Sequence, residues 1–161
     1  MKKLKLILGT GFGVGFSPIA PGTAGSLVIL VPLYMLMQTE PFVLVTLFAL
    51  LFSLITLWVT PACEEKWSKD PPVVVMDEWA GQCVALIGTS LPGVLSQDLV
   101  ILITAFILFR IFDILKPMGI NKLQNLPGRW GILADDLLAG LYTLICLKTL
   151  IFVWPDYIEM F

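Results

Sequence analysis

The amino-acid sequence predicts an all-α protein, a polytopic membrane helical bundle of about four to five membrane helices, several of them short. Three observations lead there. The 161 residues are 58% hydrophobic and only 14% charged, where soluble domains run at roughly 45–50% and about 25%. The apolar residues fall into five stretches. The connections between those stretches alternate in the kind of charge they carry. The length suits a single domain, residues 1–161.

The first stretch, 22–37, is short. The second, 42–60, is clean and long enough to cross a hydrocarbon core of roughly 30 Å, which takes about 20 residues. The third, 79–91, is again short. The fourth, 99–115, is apolar until Arg110 and Asp113. The fifth, 132–154, carries Lys148 near its far end. The short stretches read as tilted or half-buried helices, and they invite either re-entrant packing or a homodimer. The N-terminus, Met1-Lys-Lys-Leu-Lys-Leu-Ile-Leu, has the charge pattern of a secretory signal. However, Gly9, Gly11, Gly13 and Gly15 thin its apolar run, and Pro21 follows the one small-residue cleavage position, Ala20. It reads as part of the mature protein.

Placing the basic connections in the cytoplasm gives an inside N-terminus and an outside C-terminus. Nine of the ten basic residues then share one side, and Lys148 is left to snorkel toward the outer interface. Eight of the twelve carboxylates collect on that same side: Glu64, Glu65, Asp70, Asp77, Glu78, Asp113, Asp135 and Asp136. The positive-inside bias does not require this, since it is not a net-charge rule. Something else gathers the acids.

Composition also excludes. The chain has no histidine, so Ser-His-Asp triads, phosphohistidine intermediates and His-ligated zinc or haem are out. A net charge of −2 gives no basic footprint for nucleic acid. Cys63, Cys83 and Cys146 are widely spaced, with no C-x-x-C, and read as free buried thiols.

Four constellations could carry chemistry. Ser17-Pro-Ile-Ala-Pro-Gly-Thr-Ala-Gly-Ser26, preceded by Gly11-Phe-Gly-Val-Gly15, has two readings: a small-residue anion site at a helix N-terminus with Gly22, Thr23 and Ser26 as donors, or close helix packing. Asp70-Pro-Pro-Val-Val-Val-Met-Asp77-Glu78 brings two carboxylates to the head of the third stretch, where acids also serve as ordinary caps. Arg110, Asp113 and Lys116 share a helix face at successive i,i+3 steps; ionisable groups so near an apolar span point to function. Asp135-Asp136 lie just inside the fifth stretch, about 100° apart, so at least one faces the bundle interior. Several hard oxygen ligands without His or Cys suit Mg²⁺ or Mn²⁺ rather than zinc. Metal-assisted chemistry on a phosphate at the membrane surface follows, with Arg110 and Lys116 offsetting phosphate charge.

The four ordered blocks, Ser17-Pro-x-x-Pro-Gly-Thr-x-Gly-Ser26, Asp70-Pro-x-x-Val-Val-x-Asp77-Glu78-x-x-Gly81, Arg110-x-x-Asp113-x-x-Lys116-Pro117 and Gly131-x-x-x-Asp135-Asp136-x-x-Ala-Gly140, resemble the phosphatidylglycerophosphatase A family from Gly9 to about Gly140. The resemblance implies a small helical Mg²⁺-dependent enzyme of the bacterial cytoplasmic (inner) membrane, its active site facing the cytoplasm. It would remove the terminal phosphate of phosphatidylglycerophosphate by Mg²⁺-assisted attack of water, leaving phosphatidylglycerol on the way to cardiolipin. Carried over by position, it puts Asp77, Glu78, Asp113, Asp135 and Asp136 in the metal and catalytic set. Arg110, Lys116, Gly22, Thr23 and Ser26 become phosphate-binding, and Glu65, of the Glu65-Lys66 pair, a further metal ligand. An aspartyl nucleophile is the alternative to water. A second class of reading is a small transporter or channel subunit with intramembrane carboxylates as a relay, which needs acids spread through the membrane depth. A third, a transferase of the CDP-alcohol type, lacks its Asp-Gly-x2-Ala-Arg segment here.

Overall fold

The computed structural model describes residues 1–124 and 126–159, and no strand occurs among them. The Lys-rich N-terminus forms α1 (Lys2–Gly9), and a 3-10 turn at Val14–Phe16 follows. The first apolar stretch is two helices end to end, α2 (Pro21–Val28) and α3 (Leu30–Met37). Pro32 supplies the break, because it has no N–H for the Val28 carbonyl four residues back. Then come α4 (Val43–Trp67), α5 (Met76–Leu86), α6 (Leu95–Leu115), the single turn α7 (Ile120–Leu123), α8 (Arg129–Val153) and the short α9 (Asp156–Glu159).

The helices depart from the apolar stretches at their ends. α4 does not stop at Thr60 but runs through Pro61 to Trp67. A proline inside a helix strands the carbonyl four residues before it, here that of Leu57, and Arg129 Nη1 donates to this oxygen at 3.1 Å. The ladder is repaired from outside. α5 ends at Leu86, short of residue 91, because Ile87 is extended and Gly88 turns the chain at φ +62°. α8 starts three residues before the fifth apolar stretch, at Arg129.

α5 is the centre of the molecule. Nine of its eleven residues are buried, as expected of a helix enclosed on every side. It packs mainly against α8 and α4, with α2 and α6 completing the enclosure. The approach to α8 is set by two glycines. A methyl group added at Gly81 would lie 2.7 Å from the Asp136 carbonyl oxygen, and one at Gly140 would run into the Gly81 carbonyl. Around α5, Leu33, Val45, Phe52, Trp79, Leu86 and Ile101 fill the main core. The Trp79 indole N–H donates to the Gly25 carbonyl at 3.0 Å and ties α2 to α5. So the short third stretch is covered within one chain.

The Gly-rich N-terminal segment is used for close packing. Gly15 lies directly against the Val73 carbonyl, Gly11 against Val75 and Trp79, and the Gly9 carbonyl accepts the Val75 N–H at 3.0 Å. Outward faces carry unusual apolar exposure, including Leu50 and Leu54 on α4, Ile107 and Ile111 on α6, and Leu141 and Ile145 on α8. Among the described residues, α4 and α8 are the two helices long and apolar enough by length and composition to cross a membrane. At the end away from the acids, Asp98 is fully buried; it accepts the Gly93 N–H at 3.0 Å and faces Tyr34 and Gln38. There too Lys148 donates to the Gly88 carbonyl at 3.2 Å. Cys63 and Cys83 are buried free thiols, but Cys146 is exposed: it lies on the outward face of α8 with Ile145.

Candidate active site

The C-terminal end of α6 and the N-terminal ends of α5 and α8 meet, and each delivers acids to the meeting point. Asp77 and Glu78 stand in the first turn of α5, a helix too short to cross a membrane. Asp113 lies near the end of α6. Asp135 and Asp136 lie two turns into α8, and both are buried, each 4% exposed. Asp136 faces α5 beside the Gly81–Gly140 contact, while Asp135, offset from it, is covered by Lys116 and Asp113 at the end of α6.

Two triads of carboxylates result. One oxygen each from Asp77, Glu78 and Asp136 lie within 4.8 Å of one another, and so do oxygens from Asp113, Asp135 and Asp136. Asp136 belongs to both. The small pocket between them, about 100 Å³, is also lined by Asp70, Gln124 and Lys116.

Two cations answer five acids. Arg110 Nη1 pairs with Asp113 Oδ2 at 2.8 Å. Lys116 Nζ lies 3.7 Å from Asp113 Oδ1 and pairs directly with Asp135. Lys116 is the left-handed cap of α6, at φ +46°, and the turn it makes sends its side chain back toward α8. Asp77 Oδ1, Glu78 Oε2 and Asp135 Oδ1 are buried without a hydrogen-bond partner. Burial, then the Glu78 charge, raises the Asp77 carboxyl well above its ordinary range. Burial, then the Asp136 carboxylate, pushes Glu78 up to about 8. Burial lowers Lys116, but the surrounding Asp135, Asp113 and Asp136 outweigh it and hold the ammonium above the usual lysine range. Unpartnered carboxylate oxygens at such a density are costly unless a cation joins them, and an all-oxygen donor set of this kind is what a hard divalent ion takes.

The turn starting α2 abuts this cluster. A methyl group added at Gly22 would collide with the Glu78 carboxylate and stand 3.4 Å from Arg110 Nη1. Ser26 is buried; its hydroxyl donates to the Gly22 carbonyl at 2.8 Å and faces Arg110 Nη1 at 3.4 Å. Thr23 faces an apolar groove beside Arg110. Of the residues expected in the site, Glu65 is the one the fold carries elsewhere. Because α4 continues to Trp67, Glu65 sits on its outer face, 66% exposed, paired with Lys2 at 2.7 Å. Its neighbour Glu64 turns the other way, lining a second small pocket with Lys69, Asp70 and Gly128. Asp70 and Glu64, grouped in the sequence with the acids of the basic side but given no site role, line these pockets as well. Gln124 also lines both and carries no signal in the sequence.

Residues 7–151 match the phosphatidylglycerophosphatase A family. The chain belongs to that family. Among relatives, it is 33% identical to phosphatidylglycerophosphatase A of Escherichia coli over 92% of this chain and 84% of that one. It is 34% identical to phosphatidylglycerophosphatase A of Haemophilus influenzae, over 90% of each. It is 41% identical to a Bacteroides thetaiotaomicron protein named "Putative phosphatidylinositol-3-phosphatase", over 88% of this chain and 90% of that one. No solved structure matches it. The matched range spans both triads and both cations.

Proposed function

We propose that this chain is a membrane-embedded lipid phosphatase that hydrolyses the terminal phosphate of phosphatidylglycerophosphate, giving phosphatidylglycerol and inorganic phosphate. The observation that carries the reading is the pair of carboxylate triads sharing Asp136, with Arg110 and Lys116 at their edge. Asp77, Glu78, Asp113, Asp135 and Asp136 would hold Mg²⁺, which when bound supplies Lewis-acid polarisation of phosphoryl oxygens. The rest falls to the chain itself. Arg110 and Lys116 exchange part of their pairing with Asp113 and Asp135 for the incoming phosphate oxygens and stabilise the charge that spreads over them. Gly22, lacking a side chain, lets the start of α2 stand against both Glu78 and Arg110. With no imidazole in the chain, a carboxylate of the cluster takes the proton of the attacking water, and the released lipid hydroxyl receives one in turn.

The exposed apolar faces of α4, α6 and α8 support a bilayer setting, in the bacterial cytoplasmic membrane with the acidic end at its cytoplasmic face. A relay-type transporter fits less well: the carboxylates concentrate at one end, and Asp98 at the other is engaged by the Gly93 N–H. The Bacteroides relative supports a second reading of the substrate, a phosphomonoester on an inositol lipid. One experiment separates them. Purified protein in mixed micelles is given phosphatidylglycerophosphate or phosphatidylinositol-3-phosphate, with and without Mg²⁺, and released phosphate is measured. Mg²⁺-dependent release from the glycerol lipid is expected; release from the inositol lipid alone selects the second reading, and release from neither overturns both. A single turnover in ¹⁸O-water should label the product phosphate, and label in an enzyme carboxylate would establish an aspartyl nucleophile instead.

A further inference from the structure

Beside the acidic pocket lies a groove the reaction chemistry does not use. It has a volume of about 400 Å³, and its floor is a stripe of α6, Phe106, Ile107, Ile111, Ile114 and Leu115, facing Thr23 of α2. These positions repeat every four residues, so they form one continuous face about 14 Å long. Arg110 lies within the stripe, and it is also the ion-pair partner of Asp113. Asp113 lines the acidic pocket. The Arg110–Asp113 pair is therefore the partition between groove and pocket. Gly22 sits at the same partition, against both Arg110 and Glu78. Arg110 Nε is buried without a hydrogen-bond partner, so the one guanidinium facing the groove retains an unused donor.

We infer that this groove holds an acyl chain of the phospholipid substrate, which reaches the site laterally from the bilayer between α2 and α6, its phosphate side meeting Arg110. The inference rests on the lipid-phosphatase reading above. Three features select a lipid chain as occupant. The lining is apolar apart from Thr23 and the guanidinium. Ile107 and Ile111 are 49% and 44% exposed, open to the membrane rather than sealed. The groove reaches Arg110, whose guanidinium has the right sign for a phosphate and whose ion-pair partner, Asp113, lines the acidic pocket. A lipid bound there can present its head group without leaving the bilayer.

The test fills the groove. Ile107→Trp and Ile111→Trp are compared with the unmodified chain on a long-chain diacyl phosphatidylglycerophosphate in mixed micelles and on its water-soluble dibutyryl analogue. Both positions are half exposed, so the larger side chain is tolerated. Leu54→Trp, on the outward face of α4, is the control. KM for the long-chain lipid should rise about tenfold in the two groove variants with kcat unchanged, while the dibutyryl analogue and the control shift less than about twofold. A photoreactive group on the acyl chain should label the 106–115 peptide and be displaced by unlabelled substrate. Equal effects on both substrates, no effect on the long-chain lipid, or labelling spread over all outward faces overturns the groove while leaving the phosphatase reading standing. So does dissociation of a dimer by Ile107→Trp, which would make a second copy the occupant. No phosphate release by the unmodified chain overturns both.

Discussion

Arg129 Nη1 lies 3.1 Å from the Leu57 carbonyl oxygen, the acceptor whose helical donor is missing because Pro61 stands four residues on. The contact links the first residue of α8 to α4, and α8 carries Asp135 and Asp136. A helix that would otherwise be weakened is thereby pinned to the helix bearing two of the five acids of the cluster. Arg129→Met should lower stability by about 1 kcal/mol, measured by denaturant unfolding in micelles. In a Pro61→Ala background, where a backbone N–H returns to Leu57, the same change should cost close to nothing. Additive effects of the two substitutions would disprove the repair.

Asp136 is common to both carboxylate triads. Asp136→Asn keeps the shape and removes the charge. Phosphate release should fall by about two orders of magnitude or more, with helix content by circular dichroism unchanged. Near-normal turnover would remove Asp136 from the site.

Glu65 gives the opposite expectation. It pairs with Lys2 on the surface, where such bridges contribute little. Glu65→Gln should leave activity within about twofold of the unmodified chain in the same assay, and a large loss would return Glu65 to the ligand set.

Gly22 separates Glu78 from Arg110 with no room for a side chain. Gly22→Val should depress kcat about tenfold or more by driving a side chain into the Glu78 carboxylate, with helix content by circular dichroism unchanged. An unchanged kcat would show that the gap is not used.

Glu78 rises on folding from an ordinary carboxyl range to about 8, and Asp77 rises as well. A group whose pKa is higher folded than unfolded binds more protons in the folded state, so its stabilisation is complete below the unfolded value and lost as pH climbs through the folded one. The metal-free protein should therefore lose stability between about pH 4.5 and 8. Mg²⁺ held by these carboxylates would replace those protons, so its addition should raise Tm more at pH 8 than at pH 6. A shift independent of pH would indicate that the ion binds elsewhere.

Much of this was legible in the sequence, and for definite reasons. The acids of α5, α6 and α8 could be grouped because alternating helix directions bring their charged ends to one side. The i,i+3 spacing of Arg110, Asp113 and Lys116 survives intact because all three lie on or at the end of one helix. What failed was anything decided at a helix end. The carbonyl that Pro61 leaves open is met by Arg129, 68 positions away, and the continuation of α4 to Trp67 turns Glu64 inward and Glu65 outward. Likewise Gln124 joins the pocket only because α7 is a single turn. The two readings of the N-terminal glycines were separable only by the 73–75 segment lying against them. Sequence patterns carry the period within an element, but not which remote group will mend its irregularities.

The contact of Gly81 with Gly140 and with the Asp136 main chain has a consequence for ion choice. Side chains at an ordinary helix interface can be exchanged for longer or shorter ones, so the gap between the two backbones drifts over time. Here backbone rests on backbone, and Asp77, Glu78 and Asp136 hang from the two rails of that fixed gauge. Ions such as Mg²⁺ and Ca²⁺ differ by only a few tenths of an ångström in their oxygen distances. For an ion held between those carboxylates, a discrimination that fine would rest on the missing methyl groups at two glycines as much as on the carboxylates themselves.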